Sequence, residues 1–83
     1  MIYPVYCIRD TKVGFNPEFI VQMNEQASIR SFKFMMDKVD SMTSKFPEDY
    51  EWYHVCNFDT ESGQVESIIP PKFICSGGAI LEK

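Results

Sequence analysis

Residues 24–39 read Asn24-Glu25-Gln26-Ala27-Ser28-Ile29-Arg30-Ser31-Phe32-Lys33-Phe34-Met35-Met36-Asp37-Lys38-Val39, and the spacing of their apolar side chains decides the fold class. At about 100° per residue, Ile29, Phe32, Met35, Met36 and Val39 fall within one stripe roughly 120° wide. That stripe is the core face of an amphipathic helix. Asn24 is placed to cap it, because its side chain can accept a hydrogen bond from a backbone N–H two or three residues on. Glu25 follows in the first turn, where the helix dipole favours negative charge. The stripe runs out near Asp40-Ser41, Met42 could extend it by part of a turn, and Pro47 closes the linker that follows.

Outward from the helix the period changes from 3.6 to 2. On the N-terminal side, Ile2 to Ile8 is rich in β-branched and aromatic residues and reads as a strand. Pro4 cannot donate a ladder hydrogen bond, which puts this strand at a sheet edge or turns the missing N–H to an unpaired side. Asp10-Thr11-Lys12 makes a turn, Val13-Gly14-Phe15 continues briefly, and Phe19 to Met23 is a second strand. On the C-terminal side, Tyr50 to Phe58 alternates, with Tyr50, Trp52, His54, Cys56 and Phe58 on one side, expected inward. Asp59-Thr60-Glu61-Ser62-Gly63 has the length and terminal glycine of a hairpin loop, and Gln64 to Ile69 returns as the partner strand. Pro70-Pro71 is expected to break that strand, Lys72 to Cys75 to add a short edge strand, and Gly77-Gly78 to loosen the tail.

The order predicts an α+β fold: a small, mostly antiparallel sheet with one amphipathic helix packed across one face. Counting Val13 to Phe15 as a strand brings the order near that of an oligonucleotide-binding barrel, although the strands are short for one. The 83 residues, 45% of them hydrophobic, make one domain over 1–83 with no linker dividing it. A domain of this size buries only about 60% of the surface of its unfolded chain, so self-association is expected to help hold it together. Seven Phe, four Tyr and one Trp exceed what so small a core usually needs: some should reach the surface, where they suggest contacts, while the plainer reading leaves them half-buried on the sheet.

Composition narrows the function classes. Cys7, Cys56 and Cys75 include no close pair, and the first ten residues lack the basic-then-apolar pattern of a secretory signal, so the expectation is a reducing cytoplasm. Apolar runs such as Pro4 to Ile8 are far short of the ~20 residues of a membrane helix. The net charge is -4, yet residues 1–46 carry six basic against five acidic residues and residues 47–83 carry two against seven. Opposite faces of opposite sign would suit head-to-tail contacts or a local anion site, whereas the plainer reading is that the charges simply solvate the surface.

No catalytic constellation is legible, and no enzyme activity is expected. His54 has no Ser or Cys at a diagnostic spacing and is expected to be a satisfied core or rim histidine. Cys7, Cys56, Cys75 and His54 match a zinc site in number but not in spacing, so neither a metal nor another cofactor is expected. Asp49, Glu51, Asp59, Glu61 and Glu66 read as solvated loop charges. The helix face opposite the stripe has more content: Arg30, Lys33 and Lys38 surround Phe34, which points about 160° from the stripe's centre. An aromatic ring among cations is what single-stranded nucleic acid binding uses, the ring stacking on a base and the cations meeting phosphates. Arg9 and Lys12 would extend that patch. The competing reading, favoured slightly by the residues alone, packs Phe34 against a second chain or a folded-over tail, with Asp37 trimming the positive charge.

Three stretches also resemble a known family. Tyr3-Pro4-Val5-Tyr6-Cys7-Ile8-Arg9-Asp10, then Asn24-Glu25-Gln26-Ala27 leading to Arg30 and Phe32, and Phe58-Asp59-Thr60-Glu61-Ser62-Gly63 are similar to the small nonstructural protein of gokushoviruses, microviruses with small circular single-stranded DNA genomes. The resemblance implies a protein made in the cytoplasm of the infected bacterium, absent from the mature capsid, that assists viral DNA synthesis or single-strand packaging. It carries over no active-site residues. The expected partner is single-stranded DNA, with a homo-oligomer as the working form. The alternative is an adaptor that binds a viral or host replication or assembly protein.

Overall fold

The computed structural model describes residues 1–38 and 45–81. Strands β1 (Ile2–Asp10), β2 (Gly14–Phe15) and β3 (Ile20–Val21) precede helix α1 (Glu25–Met36). A 3-10 turn at Pro47–Asp49, β4 (Tyr50–Asp59), β5 (Val65–Ser76) and the short helix α2 (Gly77–Leu81) follow. All pairings are antiparallel. The strand order is β2-β1-β4-β5, with β3 also pairing β1, and the sheet curls into a half-barrel.

β1 is therefore not an edge strand. Pro4 is tolerated because its carbonyl accepts from the Gln22 N–H at 3.1 Å, and a residue's N–H points to the same side as its C=O. The missing donor thus faces the spot where the two-residue β3 ends. The expected strand over Phe19 to Met23 shrinks to these two residues. Pro70-Pro71 does not end β5, which runs unbroken to Ser76. The ladder absorbs the prolines as a bulge: His54 pairs Lys72 and Cys56 pairs Ser67, so four β5 residues lie opposite Val55 alone.

A second irregularity corrects the expected sidedness of β4. Val5 pairs Cys56 while the next residue, Tyr6, pairs His54. Directly opposed residues share a face, and Val5 and Tyr6 must alternate, so the extra residue sends Cys56 to the face opposite His54. The aromatic side expected to run from Tyr50 to Phe58 switches faces at Val55.

Asn24 caps α1 as anticipated, its side chain accepting from the Ala27 N–H at 2.8 Å. The helix closes at Met36, short of Asp40, with the Asp37 N–H donating to the Lys33 carbonyl at 3.0 Å and the Lys38 N–H to the Met35 carbonyl at 3.4 Å. Val39 and Met42 lie outside the described residues. Phe32 and Met36 are fully buried, with Tyr6, Ile8 and Trp52 in the same cluster and Ile20, Met35, Tyr50, Ile74, Cys75 and Ile80 packed around it. Trp52 lies near-parallel to both Tyr6 (centroids 5.3 Å apart, 7°) and Phe32 (5.1 Å, 18°). Ser28, the one buried polar side chain among the described residues, accepts from the Trp52 indole N–H at 3.1 Å and donates to the Glu25 carbonyl at 2.6 Å.

Gly77-Gly78 is not loose. Gly77 is buried and opens α2, and a Cβ there would meet the Pro47 carbonyl oxygen and the Met36 sulfur. No helix among the described residues is long and apolar enough to cross a membrane.

Two predictions follow from this core. Ser28→Ala leaves the buried Trp52 N–H without an acceptor and should lower the unfolding free energy by about 1–3 kcal/mol, read from urea melts. Burial, with the Glu25 carboxylate adding to it, pushes the Cys75 thiol from 9.0 up to about 11, and burial raises Cys7 and Cys56 as well. In that window the unfolded chain has lost protons that the folded chain keeps. The stability contribution is thus fully present below pH 9.0 and lost toward about 11. Urea midpoints measured on either side of the window should fall with rising pH, and a flat profile would contradict the assignment.

Candidate nucleic-acid interface

The outer face of α1 follows from its inner one. With Ser28, Phe32 and Met36 turned to the core, Arg30 and Phe34 stand one turn apart on the far side, and Phe34 is 77% exposed. Residues four apart on a helix are neighbours, so the guanidinium and the ring share one patch. Both border an open groove of about 650 Å³ between α1 and β3, lined also by Ile20, Gln22, Ser31 and Met35.

The groove's other wall is held by backbone pairing. β3 is placed by Val5↔Val21 and Tyr6↔Ile20, and strand alternation then turns Gln22, like Ile20, toward the helix. The Gln22 side-chain amide donates to the Ser31 hydroxyl at 3.0 Å. That bond ties the strand to the helix at the groove and leaves amide and hydroxyl capacity for a further partner. Sequence reasoning singled out Arg30 and Phe34 but missed Ile20, Gln22 and Ser31. Their signal was present in the alternation of Ile20 and Gln22, but it carries meaning only once β3 is known to lie beside α1.

Lys33, on α1, and Lys38, two residues past its end, are both exposed. Arg9 and Lys12 belong elsewhere. Arg9 donates to the Glu51 carboxylate at 3.1 Å, with its guanidinium carbon 6.0 Å from the centroid of the Phe15 ring. Because Ile8 faces the core beneath α1, strand alternation puts Arg9 on the other face of the sheet. Lys12 lies in the β1–β2 turn, its backbone N–H on the Asp10 carboxylate at 2.9 Å. Neither extends the helix patch.

His54 is satisfied where it stands. Its Nε2 lies 2.8 Å from the Asn57 side-chain oxygen, and its ring sits 5.0 Å from that of Tyr6. Cys7 and Cys56 are buried, Cys75 is half-buried, and all three are free thiols. Among the described residues no three His, Cys, Asp or Glu side chains are grouped to hold a metal ion.

Chemically, the groove offers an exposed ring for stacking, a guanidinium one turn away for an anionic oxygen, and an amide–hydroxyl pair within the same concavity. These are the parts of a site for a planar, charged ligand such as a nucleotide. No curated protein and no solved structure matches the chain. The family model described as "Phage ORF5 protein" matches residues 3–80, nearly the whole sequence, from within β1 to within α2, and the chain accordingly belongs to that bacteriophage protein family.

Proposed function

We propose that this phage protein is a non-enzymatic, gokushovirus-type nonstructural protein that binds single-stranded DNA in the cytoplasm of the infected bacterium, assisting viral DNA synthesis or packaging. The observation that carries the reading is the juxtaposition of Phe34, 77% exposed, with Arg30 at the rim of the α1/β3 groove. An aromatic ring so exposed on a helix gains nothing from the core, and stacking on a base would cover it. Arg30, with the exposed Lys33 and Lys38 of the helix and its end, supplies the phosphate contacts. The net charge of -4 is compatible with this, because the acidic excess lies in residues 47–83 and binding depends on the local potential of the helix side.

A protein partner is the second reading. It is favoured by the β5 bulge, where Ile69 is 88% exposed beside Pro70 and Pro71.

Titration of a fluorescent single-stranded oligonucleotide tests the first reading. Binding should weaken as salt rises, and Arg30→Ala should reduce the slope of log K against log salt by roughly 0.7. Phe34→Ala should cost about 1–3 kcal/mol of affinity, the worth of one stacked base. An absence of binding at low salt removes this reading. A partner retained from infected cells after nuclease treatment, and lost with Ile69→Ser, then supports the adaptor.

A further inference from the structure

The sheet has a second face, and its residues follow from the register. Arg9 stands directly opposite Phe15 on one side and Glu51 on the other, and Tyr53 opposite Phe73. Directly opposed residues share a face, and Arg9 alternates with the core residue Ile8, so all five lie on the face turned away from α1. Val21, opposite Val5, joins them.

The Phe15, Arg9, Glu51, Tyr53 and Phe73 side chains form one continuous row. The Phe15 and Tyr53 rings meet edge to face at 5.2 Å and the Tyr53 and Phe73 rings at 5.7 Å. Glu51 accepts from Arg9 at 3.1 Å and from the Tyr53 hydroxyl at 3.2 Å. Phe15 is 46%, Phe73 51% and Val21 53% exposed. An apolar and aromatic surface of this extent is costly to leave in water and marks an interface.

The charge on the face selects the occupant. Its cation, Arg9, is already neutralised by Glu51. Lys72, the nearest lysine on β5, pairs with His54 on the other face and reaches Glu25 at 3.3 Å. A phosphate backbone therefore finds no uncompensated cation in this row. A two-fold contact, by contrast, brings a patch against itself and requires it to be self-complementary. An acid–base pair set among aromatic rings meets that requirement, since Arg9 of one copy can face Glu51 of the other. With side chains 39% and 23% exposed, both groups can reach across.

The geometry points to the Phe15–Arg9–Glu51–Tyr53–Phe73 face as the interface of a homodimer, a second copy of this chain laid sheet to sheet across it. This goes beyond the DNA reading and does not rest on it, because the groove lies on the α1 side and stays open in such a dimer.

Sedimentation equilibrium of the full chain tests the interface. The wild type should show twice the chain mass of 9.7 kDa. Phe73→Glu and Val21→Glu, each checked for native circular dichroism, should weaken association by about tenfold or more. Arg9→Glu and Glu51→Arg should each be monomeric alone and recover the dimer when mixed, because one then carries two acids and the other two bases. That recovery distinguishes a contact between copies from a purely internal salt bridge. A wild type that stays at 9.7 kDa, a Phe73→Glu chain that associates as tightly as wild type, or a mixture that remains monomeric overturns the inference. So does association that appears only with added oligonucleotide, which would make nucleic acid the occupant. Phe34→Ala should remain dimeric, so loss of DNA binding and loss of the dimer are read separately.

Discussion

The fold depends on one side chain, Trp52. It lies at the meeting point of β1, β4 and α1, with the rings of Tyr6 and Phe32 both near-parallel to its indole. Contacts of this kind contribute about 0.5–1.5 kcal/mol each beyond the area they bury. The indole N–H cannot be buried unpaired, so the helix must bring an acceptor to it. Ser28 is that acceptor, and its second hydrogen bond to the Glu25 carbonyl fixes the hydroxyl in place. The rotation of α1 about its axis is thereby set, and with it the direction in which Arg30 and Phe34 point. The candidate binding face is the outward consequence of an inward hydrogen bond.

How much of this was legible in the sequence depends on whether its cause was local. The Asn24 cap, the apolar stripe and the loop over Asp59 to Gly63 arise from residues within a few positions of one another, and each could be read from type and spacing. The short β3, the extra residue at Val55 and the passage of β5 through Pro70-Pro71 are settled by which strand lies alongside, which no local window contains. Gly77 illustrates the limit. Two adjacent glycines near the end of a chain read as looseness, but here the missing side chain is required by the Pro47 carbonyl and Met36 packed against it.

The same distinction applies to the functional residues. Arg30 and Phe34 could be grouped by angular counting alone, because one helix presents both. Arg9 could not be assigned to a face without knowing that Ile8 is buried beneath α1, and it proves to belong to the opposite side of the sheet from the helix patch. Ser28 is polar and lies within the apolar stripe; only a buried indole N–H beneath it explains why the position is not hydrophobic. The two faces carry different exposed rings, Phe34 beside Arg30 at the groove, and Phe15 and Phe73 beside a neutralised ion pair on the sheet face turned away from α1.

The long antiparallel pairing of β1 with β4, which sets Ile2 opposite Asp59, has a bearing on how the protein is made. A ribosome delivering roughly 5–20 residues per second releases the first strand seconds before its principal partner exists. During that interval only the two-residue β2 and β3 can pair with it, and the helix that will lie against Tyr6 and Ile8 has no Trp52 to close on. Nascent protein is therefore most exposed to misassociation early in synthesis, and a host chaperone that shields N-terminal segments would act on this strand first.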